Sequence, residues 1–325
     1  MVEVNLPEVT QIGEHSFQRN SVTEKFIAPK VKNIGSWCFT SNKIKNLCLP
    51  SVEEISNHSF TNSLYLEYLL LPELKNLGYY SFCEVERLKE AVMPNVEKIH
   101  DECFNMANSL TYLDIRNCMQ IWSKCFINTQ SLNEIIAPEL DYIGTNSFES
   151  TGLSFANFPK LEQMQGNNFY SAQNLIEFKA PRLTSMGQNC LVHASIKNLI
   201  LESLQIANRG CFSNLEKLKS FHAPNALSIQ GECFEVAPNI ELFVAEKLRT
   251  LRPNVLSRSA KLKYFITPNL QAIYTSLEQC ENLELAVVSP NCIDNPQLGH
   301  VKVVCSEFDE DMIENLSNSE SDERI

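Results

Sequence analysis

The sequence predicts a single solenoid, rich in β-strand, in which about 13 similar coils are stacked along one axis. Three observations lead to this prediction. A large apolar residue recurs at intervals of about 21 or 22 residues, prolines keep the same spacing, and the segment before each proline alternates like a half-buried strand. A fixed repeat of about 20 to 50 residues is typical of stacked units, each of which needs its neighbours to bury an apolar face.

The recurring apolar residue, here called the anchor, is phenylalanine in the first eight coils and phenylalanine or leucine afterwards. The anchors are Phe17, Phe39, Phe60, Phe82, Phe104, Phe126, Phe148, Phe169, Leu191, Phe212, Phe234, Leu256 and Leu277. The prolines that share this spacing are Pro7, Pro29, Pro50, Pro72, Pro94, Pro138, Pro159, Pro181, Pro224, Pro268 and Pro290, which are 11 of the 14 in the chain. Because the anchors and the prolines share one period, we predict one continuous repeat domain instead of several separate domains.

One complete unit is residues 132–148, LNEIIAPELDYIGTNSF. Ile135 and Ala137 are predicted to point inward from a short strand. Pro138 ends that strand, because proline has no N–H to donate to a sheet. Two further inward residues follow the proline, and Phe148 completes the unit.

This pattern, L-x-x-I-x-x-P-x-V-x-x-I-G-x-x-x-F, is carried for example by residues 69–82 (LLLPELKNLGYYSF) and 135–148 (IIAPELDYIGTNSF). It resembles the leucine-rich repeats of the BspA-like (Treponema pallidum-type) class over about residues 1–290. The resemblance implies a β-rich α/β solenoid, wound as a right-handed leucine-rich repeat superhelix with a parallel β-sheet on the concave face. It would contain about 13 coils, each of about 21–22 residues. One departure is that the cysteine common three residues after the anchor occurs only at Cys280.

The predicted domains are a solenoid over residues 1–305, with a last strand within 298–305, and an acidic tail over residues 306–325. The tail holds eight acidic residues and one arginine, and it is predicted to be disordered. At the other end, Val4 and Leu6 already occupy inward positions, so no capping segment precedes the first coil. Self-capping, a missing upstream segment and self-association through this coil are the alternatives.

The composition excludes several classes of partner. The net charge of −12 argues against nucleic acid, which needs a basic surface. No apolar run is long enough to span a bilayer, and the N-terminus has no signal peptide pattern. We therefore expect a cytoplasmic protein without membrane insertion, with export to the cell surface or exterior by a non-classical route as the alternative.

The cysteines follow the repeat. Half of the 12 cysteines directly precede an anchor, where other coils have serine, asparagine or valine: Cys38, Cys103, Cys125, Cys190, Cys211 and Cys233. The site therefore selects a small, mostly buried residue, and no C-x-x-C pair indicates a zinc site. We predict free structural thiols and a reducing compartment.

No pattern of residues indicates catalysis or a cofactor. The sequence lacks G-x-S-x-G, a phosphate-binding loop with lysine, and H-E-x-x-H. Cys190 and His193 are a close cysteine–histidine pair, but both lie at repeat positions. We expect neither an enzyme nor a metal or cofactor site.

Functional residues are expected in columns, in which each member is one repeat away from the next. The strand positions four and two before the proline point outward and form two columns. The candidate partner-binding residues on this face are Tyr68, Leu70, Tyr112, Asp114, Phe155, Asn157 and Lys179. Exposed aromatic anchors with a polar rim are typical of protein interfaces, although β-strand propensity also accounts for much of the aliphatic content.

A second predicted column is an aromatic ladder two residues before the anchors of the first four coils. It consists of His15, Trp37, His58 and Tyr80. Ordinary stacking between coils and contact with a partner are both consistent with it.

These observations favour a non-catalytic scaffold that binds a protein partner on the strand face, and leucine-rich repeat sheets commonly bind proteins. The alternative is a cell-surface adhesin or a host-directed effector.

Overall fold

The computed structural model describes residues 2–274, 277, 280–292, 295, 298 and 303–305. The chain forms a parallel β-solenoid of about 13 coils, and each coil adds one strand to each of two series. The family resemblance therefore gave the right kind of fold. The predicted acidic tail, residues 306–325, lies outside the described residues, and its disorder stays a prediction.

The first series consists of the short strands that precede the prolines. Its members are β1 (Val2–Asn5), β3 (Thr23–Ile27), β5 (Asn46–Cys48), β7 (Tyr68–Leu70), β9 (Glu90–Val92), β11 (Tyr112–Asp114), β13 (Glu134–Ile136), β15 (Phe155–Asn157), β17 (Glu177–Lys179), β19 (Asn198–Ile200), β21 (Ser220–His222), β23 (Leu242–Val244), β25 (Tyr264–Thr267), β27 (Leu285–Val288) and β28 (Val303–Cys305). In β7 the middle residue, Leu69, is buried between two exposed neighbours, as the predicted alternation requires. The strand predicted within residues 298–305 is β28, which pairs in parallel with β27.

A second series follows the prolines and was not predicted. Its members are β2 (Gln11–Ile12), β4 (Asn33–Ile34), β6 (Glu54–Ile55), β8 (Asn76–Leu77), β10 (Lys98–Ile99), β12 (Gln120–Ile121), β14 (Tyr142–Ile143), β16 (Gln163–Met164), β18 (Ser185–Met186), β20 (Ile206–Ala207), β22 (Ser228–Ile229), β24 (Thr250–Leu251) and β26 (Ala272–Ile273). Strands β2 to β22 form one continuous parallel sheet of 11 strands. A strand of two residues is too short to show alternation, so sequence periodicity cannot reveal it.

The third side of each coil contains no α-helix within the described residues, which corrects the expectation of an α/β solenoid. In that part of the chain, the regular helical structure is a single 3₁₀ helix, Pro290–Cys292. Alternate backbone N–H groups around most anchors are directed to the next coil instead: Phe39 N–H donates to the Ser59 carbonyl at 2.7 Å, and Phe60 N–H donates to the Ser81 carbonyl at 2.8 Å. Since these N–H groups bond between coils, they make no i→i−4 bonds.

The first series is interrupted at three places, between β3 and β5, between β13 and β15, and between β17 and β19. At each of them the turn before the second strand is shorter by one residue than the corresponding turn in the uninterrupted stretch from β5 to β13. The coil before Leu285 is also one residue short, but there the missing residue lies between β26 and the anchor Leu277, the turn before β27 keeps its full length, and β25 and β27 stay paired. The second series continues across all three places.

The anchors form a continuous aromatic spine inside the solenoid. Successive rings from Phe17 to Phe169 stack with centroid distances between 5.0 and 5.5 Å. The inward residues join one core, against which Val4, Leu6 and Phe17 of the first coil are packed while partly buried. Self-association through that coil stays a prediction.

The residue before most anchors is a hydrogen-bond donor as well as a small residue. Cys125 Sγ lies 3.0 Å from the His100 carbonyl oxygen, and Cys211 Sγ lies 2.8 Å from that of Gly187. Where serine or asparagine replaces cysteine, the bond is kept, as between Asn168 Nδ2 and the Gly144 oxygen at 2.7 Å. The eleven cysteines whose side chains are described are free thiols, and all but Cys48 are buried.

Candidate functional site

The outward side chains of the first strand series form a surface that we call the strand face. Tyr68 and Leu70 of β7 are each 42% exposed, and Phe155 of β15 is 43% exposed. Asn157 and Lys179 are also exposed. Large apolar side chains and polar groups therefore share this surface.

One column of the strand face alternates between aromatic and acidic residues over six coils. In order, it consists of Tyr68, Glu90, Tyr112, Glu134, Phe155 and Glu177. The first four are direct neighbours in the parallel register, and so are the last two. Because paired neighbouring strands are about 4.8 Å apart, Tyr68 and Tyr112 are about 10 Å apart, with the carboxylate of Glu90 between them.

Lysines adjoin two of these aromatic rings. Lys89 Nζ lies 5.6 Å from the ring centroid of Tyr68 and 2.9 Å from Glu67, and this contact lowers the pKa of Glu67. Lys179 Nζ lies 5.4 Å from the ring centroid of Phe155. Glu90 and Glu134, by contrast, have no ion pair within the described part of the chain.

The structure corrects the prediction that Asp114 is an exposed contact residue. Asp114 is only 3% exposed, and its carboxylate binds the backbone N–H, Nε and Nη2 of Arg116. Arg116 occupies a coil position that has proline in most other coils, so its N–H and its guanidinium are free to bind the carboxylate. Tyr112 is half-buried, and desolvation, followed by the nearby Asp114 and Glu134 carboxylates, raises its pKa.

The exposed strand face also covers fewer coils than the outward strand positions in the sequence predict. Leu242, Val244, Ile266 and Val287 occupy outward positions, but they are buried and form a small separate apolar cluster. The aliphatic residues of the last coils are therefore not available to a partner, and the exposed part of the strand face ends at about Ile200.

The structure stacks three of the four residues of the predicted aromatic ladder. The ring centroids of Trp37 and His58 are 4.0 Å apart, and those of His58 and Tyr80 are 4.8 Å apart, with nearly parallel planes. His15, at the end, places Nδ1 3.0 Å from Gln18 Oε1. Stacking covers both faces of His58 and one face each of Trp37 and Tyr80. A binding role for this ladder stays a prediction.

A second ladder on the same flank was missed in the sequence. It consists of Tyr79, His100, Trp122 and Tyr142, whose successive ring centroids are 4.7, 6.1 and 6.2 Å apart. Its planes are tilted, and Trp122 is 40% exposed. The available signal was that His100 and Trp122 each directly follow an inward isoleucine at the same place in the repeat.

The described residues show no arrangement for catalysis or metal binding. In that part of the chain, no three histidine, cysteine, aspartate or glutamate side chains are grouped to hold a metal ion. Burial raises the pKa of Cys103 and Cys118 to about 12, which is opposite to what a nucleophilic thiol needs. None of the helical segments that can be described is long and apolar enough to span a membrane.

Comparison with solved structures supports the fold alone. A leucine-rich repeat protein from Bacteroides ovatus matches with a TM-score of 0.58 and 18% identity, over 93% of this chain and 83% of that one. A leucine rich cell surface protein from Faecalibacterium prausnitzii gives a TM-score of 0.43 and 17% identity, over 85% and 86% of the two chains. No curated protein sequence matches the chain.

The family comparison covers most of the solenoid. The profile described as BspA type leucine rich repeat region, in six copies, matches residues 1–109, 53–176 and 142–263. These overlapping matches extend over more than half of the chain and coincide with the coils described above. The chain therefore belongs to the BspA type leucine-rich repeat family.

Proposed function

We propose that this chain is a non-catalytic scaffold that binds a protein partner on the strand face. The observation that carries the proposal is the exposure of Tyr68, Leu70 and Phe155 next to fully packed inward residues of the same strands. Aromatic residues on a rigid surface are common anchors of protein interfaces, because they bury much area at low cost in side-chain entropy. The right-handed curvature that the family resemblance implies would place these residues on a concave surface.

The charges of the strand face favour a partner with arginine or lysine at the contact. Glu90 lies between Tyr68 and Tyr112, Glu134 lies next to Tyr112, and neither glutamate has an ion pair within the described residues. An arginine can stack on a tyrosine ring and bind a neighbouring carboxylate with two hydrogen bonds. Such contacts weaken as salt is added, so we expect binding to fall with ionic strength.

The test is affinity capture from native cell extract at two salt concentrations, with the double variant Tyr68→Glu and Phe155→Glu. Removing one anchor of an interface commonly costs about 2 kcal/mol or more, so we expect at least about a 30-fold loss of affinity for the captured partner. The matched control is Leu227→Glu, which changes a similarly exposed apolar residue next to β22, in the second strand series.

The proposal requires that all variants keep the circular dichroism and unfolding midpoint of a folded solenoid. Loss of partner capture in the double variant, with capture kept in Leu227→Glu, supports the proposal. Equal capture by the wild type and the double variant contradicts it, and so does equal loss in the control. The cytoplasmic location is itself a prediction, so the capture is repeated with material from outside the cell.

A further inference from the structure

A polar groove runs along the corner that follows the second strand series. It crosses five successive coils, from Thr145 to Gly231, and has a volume of about 520 Å³. Five of its side chains are carboxamides: Gln165, Asn167, Gln188, Asn208 and Gln230. Since neighbouring coils are about 4.8 Å apart, the groove is about 19 Å long.

Glycine alternates with larger residues at the corner of the coil beside the groove. The residues that directly follow β12, β14, β16, β18 and β20 are Trp122, Gly144, Gln165, Gly187 and Asn208. A Cβ at Gly187 would lie 2.2 Å from the Gly166 nitrogen, so the close approach of the two coils requires glycine there. At Gly144, too, the backbone of the preceding coil fills the space that a side chain would take.

Much of the hydrogen-bonding capacity of the groove is unused by the protein. Asn208 Nδ2 donates to the Met186 carbonyl at 2.9 Å, and Gln230 Nε2 donates to Ser228 Oγ at 2.8 Å. The side chains of Gln165 and Gln188 are exposed and have no hydrogen-bond partner within the described residues. Both therefore offer two N–H donors and a carbonyl acceptor to a ligand.

The groove is electrically neutral. Its one charged lining residue, Arg209, is paired through Nε and Nη2 with both carboxylate oxygens of Glu232, at 2.8 and 2.6 Å. This contact lowers the pKa of Glu232 and raises that of Arg209. Both side chains therefore stay ionised, and their opposite charges cancel. A phosphate or carboxylate ligand would have to compete with Glu232 for the guanidinium, and the groove lining holds no other cation to attract an anion.

We propose that this groove binds an extended, neutral oligosaccharide. A hydroxyl group is both a donor and an acceptor, so it can satisfy both ends of a carboxamide. A polyproline-type peptide offers acceptors only and docks between aromatic ridges, and the groove lining has no aromatic residue. Trp122, which is 40% exposed, lies one coil before Thr145 at the end of the groove, where the apolar face of a sugar ring can pack on its indole.

The test uses a panel of neutral hexasaccharides: cellohexaose, xylohexaose, laminarihexaose, maltohexaose, mannohexaose and chitohexaose. Binding is measured by calorimetry and by tryptophan fluorescence, which reports only Trp37 and Trp122. We expect at least one hexasaccharide to bind and to change the emission in Trp37→Phe but not in Trp122→Phe. The double variant Gln165→Ala and Gln188→Ala should lose about tenfold in affinity, as expected for two hydrogen bonds.

The matched control is Gln173→Ala with Gln271→Ala, which removes two exposed carboxamides elsewhere on the solenoid. It should bind as the wild type does. The proposal is overturned if no hexasaccharide binds at millimolar concentration, or if the groove and control variants bind equally. Binding of a proline-rich hexapeptide without binding of any sugar would assign the groove to peptides and also overturn it. Strand-face variants leave this result unchanged, because the groove is on a different side of the coil.

Discussion

At the scale of the residue, the most unusual feature is left-handed backbone at two positions in the coils from Phe17 to Leu256. The residues two before and two after most anchors have φ between +54° and +69°. Among those described, only Gly210 is a glycine. For other residues this conformation costs roughly 1–2 kcal/mol, with asparagine tolerating it best. Bonds between coils offset the cost, as when Arg19 N–H donates to the Thr40 carbonyl at 2.7 Å.

Val236 is the residue least suited to this conformation. It has φ +59°, and its branched Cβ makes the left-handed region especially unfavourable. We expect Val236→Asn to raise the free energy of unfolding by about 1 kcal/mol, because asparagine tolerates this region. Urea unfolding followed by circular dichroism measures the change.

The matched control is the reverse substitution one coil earlier. Asn214 has φ +57° at the equivalent position, so Asn214→Val should destabilise the protein by a similar amount. A Val236→Asn variant that is no more stable than the wild type would show that this valine is not strained.

At the scale of the element, each coil combines parts that sequence can and cannot predict. The strand before the proline was predictable, because alternation and a missing N–H both leave a residue pattern, as at Ile135, Ala137 and Pro138. The third side was not, because its left-handed positions hold ordinary residues such as Trp37 and Lys124. Because these positions are not occupied by glycine, the sequence does not distinguish these turns from a short helix.

The candidate site shows the same limit. The strand-face columns followed from the repeat alone, and Tyr68, Leu70 and Phe155 are exposed as expected. The burial of Asp114 depends on where the Arg116 side chain goes, which periodicity does not describe. The carboxamide groove depends on which corner positions lack a side chain, so it becomes visible only when coils are aligned in space.

The stack of Trp37, His58 and Tyr80 is an element whose behaviour depends on pH. Burial lowers the pKa of His58 below its ordinary value of 6.5. Neutral His58 therefore favours the folded stack above pH 6.5, and this stabilisation is lost as the pH falls through the lowered pKa. We expect a His58 titration midpoint below 6.5 by NMR, and a higher midpoint in Trp37→Ala, where the imidazole is more exposed. Trp122→Ala, outside this stack, should leave the midpoint unchanged; an unchanged midpoint in Trp37→Ala would contradict the assignment.

At the scale of the whole molecule, stability comes from contacts between neighbouring coils. Ion pairs join corresponding positions of adjacent coils, as in Lys25–Glu3 and Lys263–Glu241. Exposed pairs of this kind contribute little individually, generally less than about 1 kcal/mol. The aromatic spine and the inward aliphatic residues form one continuous core, so each coil is stabilised mainly by burial against the next.

The buried thiols make this core sensitive to alkaline pH. Burial raises the pKa of Cys103 and Cys118 from the ordinary 9.0 to about 12. Above pH 9 the unfolded chain loses these protons while the folded chain keeps them, so stability is complete below pH 9 and is lost as the pH rises toward 12. Each thiol should lower the free energy of unfolding by about 1 kcal/mol or slightly more at pH 10 compared with neutral pH.

The double variant Cys103→Ser and Cys118→Ser tests this account, because serine does not titrate in this range. Serine also keeps a donor for the Gly78 carbonyl, which Cys103 Sγ contacts at 3.1 Å. Urea unfolding at pH 8 and pH 10 should show a loss of stability that is smaller in the variant by about 2 to 3 kcal/mol. The comparison uses only the change with pH, so any stability difference at pH 8 cancels. Equal losses in wild type and variant would mean that the alkaline sensitivity of the solenoid comes from groups other than these two thiols.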